Sequence, residues 1–384
     1  MDRKLNICHV ITRMIVGGAQ ENTLLTCLGH IQKGHDVTLV TGPSPGPEGE
    51  LLKTRDINGL KIIVNPHLVR EISPYHDLAA YFSLKKFFRK NRFDVVHTHS
   101  SKAGVIGRLA ADAAKVPFIV HTVHGQAFHP YEKAWRNFIF KTSELLAAKH
   151  CHKIFAVAQA MVDQCVRAGI AKPEKYKVVY SGIELEPFLK SEPDCELRKK
   201  LGIPENAPVI GTVARLFPLK GYEDFLPAAE IIAKKHPETC FLLVGDGIMK
   251  EQIQKFAEFA KMKFFFAGLV PPSEVHKYTA LMDVLVHLSL REGLPRAVVQ
   301  GLASGKPAVG FALDGTPEVI IEVKTGFILK PGDVTGVAEK INFLLENPDK
   351  AREMGSAGRT MVSEKFDWKR MADILEEEYI KGLK

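Results

Sequence analysis

The chain has 384 residues, 46% of them hydrophobic and 25% charged, with a formal net charge of +8. That length exceeds what one core usually serves and favours two domains, and the composition is that of an ordinary globular protein in water. No run approaches the roughly 20 apolar residues of a membrane span, and MDRKLNICHVITRM lacks the long apolar segment and small-residue cleavage site of a secretory signal.

Cys8, Cys27, Cys151, Cys165, Cys195 and Cys240 are scattered and form no C-x-x-C pair, so they read as small core residues in a reducing cytosol. The expected address is cytoplasmic. The positive excess points to anionic partners, with surface lysines that only solubilise as the bland alternative. No basic low-complexity tail, RNP-like aromatic motif or zinc knuckle accompanies it, which argues against nucleic acid.

From the N-terminus, LNICHVIT, HDVTLVTG, LKIIVN, FDVVHTH, PFIVHTV, KIFAVA and YKVVYSG read as strands separated by helical-period stretches such as AQENTLLTCLGHIQKG and SKAGVIGRLAADAAK. Near-continuous apolar strands alternating with helices predict a parallel sheet covered on both faces. Gly17-Gly18 follows the first strand and opens a helix, where backbone amides can meet a phosphate; a plain strand–helix turn is the competing reading. This is not G-x-G-x-x-G, and no acidic residue ends the second strand, so an NAD site is poorly supported.

HTHSSKAG and HTVHGQAF offer His97, His99, Ser100, Lys102, His121, His124 and Gln126. Zinc is the obvious alternative for so many histidines. His97 and His99 lie two apart on a strand with no carboxylate or thiol close in the motif, so hydrogen bonding to sugar or phosphate is preferred. Residues 81–93 and 131–149 mix cations with aromatics; they fit helices packed on the sheet or helices lying on an anionic bilayer.

Residues 182–208 are rich in Pro and charge and read as an interdomain connection without strands. The alternation then restarts with PVIGTVAR, TCFLLVGDG, KFFFAGL, VLVHLS, KPAVGFA and GFILK. The expected fold class is thus α/β, with two Rossmann-like doubly wound parallel-sheet domains facing a cleft. In GTVARLFPLKG, Arg215 follows a strand and Lys220 precedes a helix, a good clamp for a diphosphate. Gly245 in GDG and Gly268 in AGL also lie at strand ends, where backbone approach is useful. Glu292-Gly293-Leu294-Pro295 turns from a strand into a helix; Glu292 can accept from sugar hydroxyls or simply cap that helix. There is no D-x-D, G-x-S-x-G elbow or Walker lysine loop. Arg215 and Lys220 could therefore neutralise a bound diphosphate where some diphosphate-handling enzymes use a metal. The terminal KFDWKRMADILEEEYIKGLK is an amphipathic helix of unspecified packing.

Taken together, VGGAQE, HTHSSKAG, HTVHG, GTVARLFPLKG, FLLVGDG, REGLPRAVVQGLASGKPAV and KFDWKRMA resemble the family 4 retaining glycosyltransferases of the GT-B fold, along essentially the whole chain. The resemblance implies a first domain over 1–182, with 367–384 crossing back onto it, and a nucleotide-sugar domain over 183–366. It implies a hexosyltransferase without metal or cofactor, moving sugar from a nucleotide-diphosphate sugar, here expected to be a UDP-sugar. The acceptor would be a saccharide or a polyprenyl-diphosphate-linked one, at the inner face of the membrane. Gly17-Gly18 would then face the diphosphate or acceptor, His124 the transferred sugar, and Arg215 and Lys220 the two phosphates. Glu292 would hold sugar hydroxyls, with the Gly293 and Leu294 amides on phosphate and sugar and the Gly245 and Gly268 turns on the donor side. His99, Lys102 and Gln126 are expected on the acceptor side.

Two positions depart from that pattern. Gln300 stands where the second glutamate of the family's E-x7-E motif would hold the ribose, and Pro295 replaces a common glycine. The competing functions are a UDP-sugar 2-epimerase of the same fold and a non-catalytic nucleotide-sugar-binding protein.

Overall fold

The computed structural model describes residues 3–44, 51–54 and 57–384. The chain divides into two compact units, residues 1–183 together with 368–384, and residues 184–367. The first holds a 7-stranded sheet of β1 (Asn6–Ile11), β2 (Asp36–Thr41), β3 (Lys61–Val64), β4 (Val95–His99), β5 (Phe118–Val123), β6 (Lys153–Ala156) and β7 (Tyr176–Val178), in the order β3-β2-β1-β4-β5-β6-β7. The second holds a 6-stranded sheet of β8 (Val209–Val213), β9 (Cys240–Val244), β10 (Lys263–Gly268), β11 (Val284–His287), β12 (Ala308–Phe311) and β13 (Gly326–Leu329), in the order β10-β9-β8-β11-β12-β13. All strand pairings in both are parallel, as the apolar, helix-separated runs predict.

Burial follows strand position. Central β1, β4 and β5 are covered on both faces, whereas the edge strands β3 and β10 open with exposed Lys61 and Lys263, charges that discourage pairing with another chain. In each sheet the strand order reverses once, between β1 and β4 and between β8 and β11. Loops leaving the carboxyl ends of those neighbours diverge there and leave a crevice, the usual ligand position in such sheets.

The terminal helix, Trp368–Gly382, belongs to the first unit. It sets Trp368, Met371, Leu375 and Tyr379 into a core with Ile7, Leu25, Val95 and Phe155. It also crowds the helix Gly18–Gln32, because a Cβ on Gly29 would lie 2.5 Å from the Ala372 Cβ. Residues 182–208 hold none of the named strands, as the sequence reading expects, but they are not without helix. They form the short helices Glu186–Leu189 and Cys195–Leu201. Asp194 Oδ1 accepts from the Glu196 and Leu197 amides at 2.9 and 3.0 Å, and Gly202 closes the second helix at φ 79°. These are ordinary caps, present in PDCELRKKLG but outweighed by its prolines and charges.

Candidate active site

In the second unit the crevice lies beyond β8 and β11. The two following loops are stitched together by Leu219, whose carbonyl accepts from the Leu290 amide at 2.9 Å and from Ser289 Oγ at 3.2 Å. To do so Leu219 sits at φ 67°, a left-handed conformation that costs a non-glycine residue about 1 kcal/mol or more. The strained turn delivers Lys220. Its Nζ donates to Glu292 Oε1 at 2.6 Å and lies 3.4 Å from Ser289 Oγ.

Glu292 is held from several sides. Its amide donates to Asp314 Oδ2 at 2.7 Å, and His287 Nε2 stands 3.6 Å from its Oε1. Burial alone would raise the Glu292 carboxyl, but Lys220 and His287 outweigh burial and keep it below the usual carboxylate range. Burial holds His287 down to about 4 despite the neighbouring carboxylate, so its ring is neutral near pH 7. The pair is therefore Lys+ and Glu−, with a neutral imidazole behind it.

Gly293 and Leu294 follow, both buried, and among the described residues neither backbone amide donates a hydrogen bond to the protein. The helix Arg296–Ala303 starts just beyond and carries Gln300. Arg215 is exposed at the end of β8, with its guanidinium 5.1 Å from the Phe217 ring centroid. Gly245 has an internal reason to be glycine. At φ 142° its Cβ would fall 2.0 Å from the Ala214 carbonyl, and its amide donates to Gly268 at 3.0 Å.

The first unit has the equivalent crevice beyond β1 and β4. Gly17 precedes the helix Gly18–Gln32 in extended backbone, and a Cβ there would meet only the Gln20 side chain. The histidines lie within β1, β4 and β5, with His124 just past β5. His99 is fully buried, its Nδ1 3.0 Å from His124 Nε2 and its Nε2 2.9 Å from His9 Nδ1. His97 faces Thr122 Oγ1 at 2.6 Å and Tyr379 OH at 2.5 Å, and His121 Nδ1 lies 3.0 Å from Thr98 Oγ1.

Of the residues expected on the acceptor side, none has all its polar atoms turned outward. Both ring nitrogens of His99 are taken by other histidines. Lys102 pairs with Asp77 at 2.5 Å and donates to the Glu71 carbonyl. Gln126 is buried and donates to Cys165 Sγ at 2.8 Å. His124, half-buried, is the histidine of this group that reaches furthest toward solvent.

Residues 16–187 match the family model described as Glycosyltransferase Family 4, and residues 194–361 match Glycosyl transferases group 1. The chain belongs to glycosyltransferase family 4. This family 4 enzyme is 29% identical over 383 residues to the Escherichia coli UDP-Gal:alpha-D-GlcNAc-diphosphoundecaprenol alpha-1,3-galactosyltransferase, covering 98% of this chain and 97% of the relative. It is 25% identical to the Staphylococcus aureus capsular polysaccharide biosynthesis glycosyltransferase CapM, covering 92% of each chain. The crystal structure of Anabaena Alr3699/HepE in complex with UDP superposes with a TM-score of 0.81 at 21% identity, covering 98% of this chain and 100% of that one, which establishes the GT-B fold.

Sequence reading missed four members of this glycosyltransferase's sites. Ser289 and His287 were visible as the polar end of VLVHLS, directly before Glu292. Asp314, in a separate loop, carries no local signal. His9, inside the apolar NICHVI, is found only through register, since it pairs with His97 across β1 and β4.

Proposed function

We propose that this glycosyltransferase moves a sugar from a UDP-sugar to a saccharide or polyprenyl-diphosphate-linked acceptor, with retention at the anomeric carbon and without a metal ion. The observation that carries the reading is the Lys220–Glu292 pair, 2.6 Å apart at the strand-order reversal of the second unit. A cation for phosphate and a fixed carboxylate for hydroxyls stand side by side, beside the two buried amides of Gly293 and Leu294. The E. coli relative supports the donor and acceptor classes, being named for a UDP-sugar and a diphosphoundecaprenol-linked sugar.

In this reading Arg215 and Lys220 neutralise the diphosphate, Glu292 accepts from sugar hydroxyls, and Gln300 accepts from the ribose through its carbonyl. The bond from C1 to the diphosphate oxygen breaks, the acceptor oxygen bonds to C1 on the same face, and the acceptor proton passes to the departing phosphate oxygen. Positioning and electrostatics then carry the rate, with no separate base. Transfer is expected to persist in EDTA and to give the donor's anomeric configuration by NMR. Abolition by EDTA with rescue by a divalent ion, or an inverted product, overturns this mechanism.

A membrane-bound acceptor gives meaning to the helix Ala134–Ala148. It buries only Ala147 and Ala148 and exposes Trp135, Phe138, Ile139 and Leu146 along one stripe, with Lys133, Arg136, Lys141 and Lys149 nearby. No described helix is long and apolar enough to cross a membrane. Aromatics flanked by cations suit the surface of an anionic bilayer. The protein should float with anionic liposomes at low salt, and Trp135→Ser with Phe138→Ser should release it. Failure of the wild type to float at low and moderate salt sinks the membrane reading.

A further inference from the structure

His9, His99 and His124 form a continuous hydrogen-bonded series from the core of the first unit outward. His9 Nδ1 meets His99 Nε2 at 2.9 Å and His99 Nδ1 meets His124 Nε2 at 3.0 Å, with interplanar angles of 20° and 29°. Each contact uses one ring nitrogen of each partner, so His99 is engaged at both ends. A neutral imidazole has one donor and one acceptor. If His99 donates to His124, it must accept from His9; if it accepts from His124, it must donate to His9. Only two arrangements exist, in which all three rings carry the proton on Nδ1 or all three carry it on Nε2.

Burial keeps the two inner rings neutral. It holds His9 down to about 3 and His99 well below its usual value, to which the neighbouring His97 and His9 add. At the inner end, His9 Nε2 is buried and has no partner among the described residues. The same rings could be read as a metal site, since His9, His97 and His99 offer nitrogens within 4.8 Å of one another. Ligation would have to break contacts already made, because His97 is bonded at both nitrogens to Thr122 and Tyr379. The hydrogen-bonded relay uses all of these contacts as they stand.

We propose that His9 and His99 are positioning residues that tie the tautomer of His124 to their own, so that His124 meets the transferred sugar in the hydrogen-bonding role the whole series adopts. The proposal rests on the reading above only for the identity of that ligand. The tautomer lock is a property of the protein alone and can be measured without substrate.

The test is long-range 1H–15N correlation on the full chain labelled at histidine, with rings assigned by single replacements. In the wild type, at a pH where all three rings are neutral, His9, His99 and His124 are expected to share one tautomer. In His99→Phe, His124 is expected to become a mixture of tautomers, while kcat falls about tenfold and the donor KM changes little. His9→Phe removes the unpartnered nitrogen and leaves the His99–His124 contact, so it serves if His99→Phe does not fold. There the lock should weaken without loss of fold. His99 and His124 in opposite tautomers, or a His124 spectrum unchanged by loss of His99, overturns the lock. So does one equivalent of zinc retained through dialysis with shifted His9, His97 and His99 resonances. Loss of transfer in the wild type alongside an intact lock would refute the sugar ligand and leave the relay standing.

Discussion

Lys220→Ala and Glu292→Ala are each expected to lower kcat/KM by at least about tenfold, or about 1.4 kcal/mol of transition-state stabilisation. The two losses have different origins. On the proposed mechanism, removing Lys220 takes a charge from the leaving diphosphate; it also strips Glu292 of the cation that offsets its burial. Its carboxyl then moves up toward protonation, and a neutral acid is a poorer acceptor for sugar hydroxyls. Removing Glu292 leaves Lys220 in place but frees it from a 2.6 Å contact, so its ammonium loses its fixed direction. Because each mutation damages the other residue's role, the double mutant should lose less than the product of the single losses. Steady-state transfer kinetics on the four proteins measure this. Near-normal rates in both single mutants, or strictly multiplicative losses, contradict the pairing.

The second large effect is acid unfolding of the first unit. His9, His30, His97, His99 and His121 are all buried, and burial is the main cause that pushes each below its usual value; neighbouring histidines add to this for all but His9, and Arg108 adds to it for His121. The unfolded chain binds a proton at each of these rings near pH 6.5 while the folded unit does not, so their contribution is intact above that pH and is lost progressively as pH falls toward the folded values. At pH 5 His9, held down to about 3, costs about 2 kcal/mol by staying neutral when folded, and the other four rings act in the same direction. One such ring is already a sizeable part of the roughly 5–15 kcal/mol stability of a domain. In the second unit His287 is the one histidine among the described residues with such a shift.

Trp135 and Trp368, the chain's 2 tryptophans, both lie in the first unit. Emission of the buried Trp368 should therefore shift red as the pH falls below about 6.5, whereas Trp135 is already exposed. Circular dichroism should retain the helix signal of the second unit as it does. Tryptophan emission unchanged to pH 4 would mean that the buried histidines are charged or solvated.

The fold was legible because its signal is local. Each strand of both sheets was visible as a short apolar run, since parallel strands buried on both faces tolerate little else. Lys220 and Glu292 were also legible, as charged residues in loops at strand ends. Their ion pair was not, because it joins residues 72 positions apart and depends on β8 and β11 being neighbours. The histidine series is harder still. HTHSSKAG and HTVHGQAF advertise their histidines, but His9 sits in an apolar strand and Tyr379 in the terminal helix, where an amphipathic pattern explains each equally well. The roles expected for His99, Lys102 and Gln126 came from motif position. What decides where their polar atoms point is the packing of Asp77, Cys165 and His9, which no spacing encodes.

The central claim is that the second unit grips the diphosphate of a UDP-sugar through Lys220. Calorimetric titration of the full chain with UDP, wild type against Lys220→Ala, tests it most directly. The account predicts saturable binding by the wild type and at least about tenfold weaker binding by the variant, in line with a lost charge-assisted contact. No UDP binding by the wild type, or equal affinity in the two proteins, would contradict it.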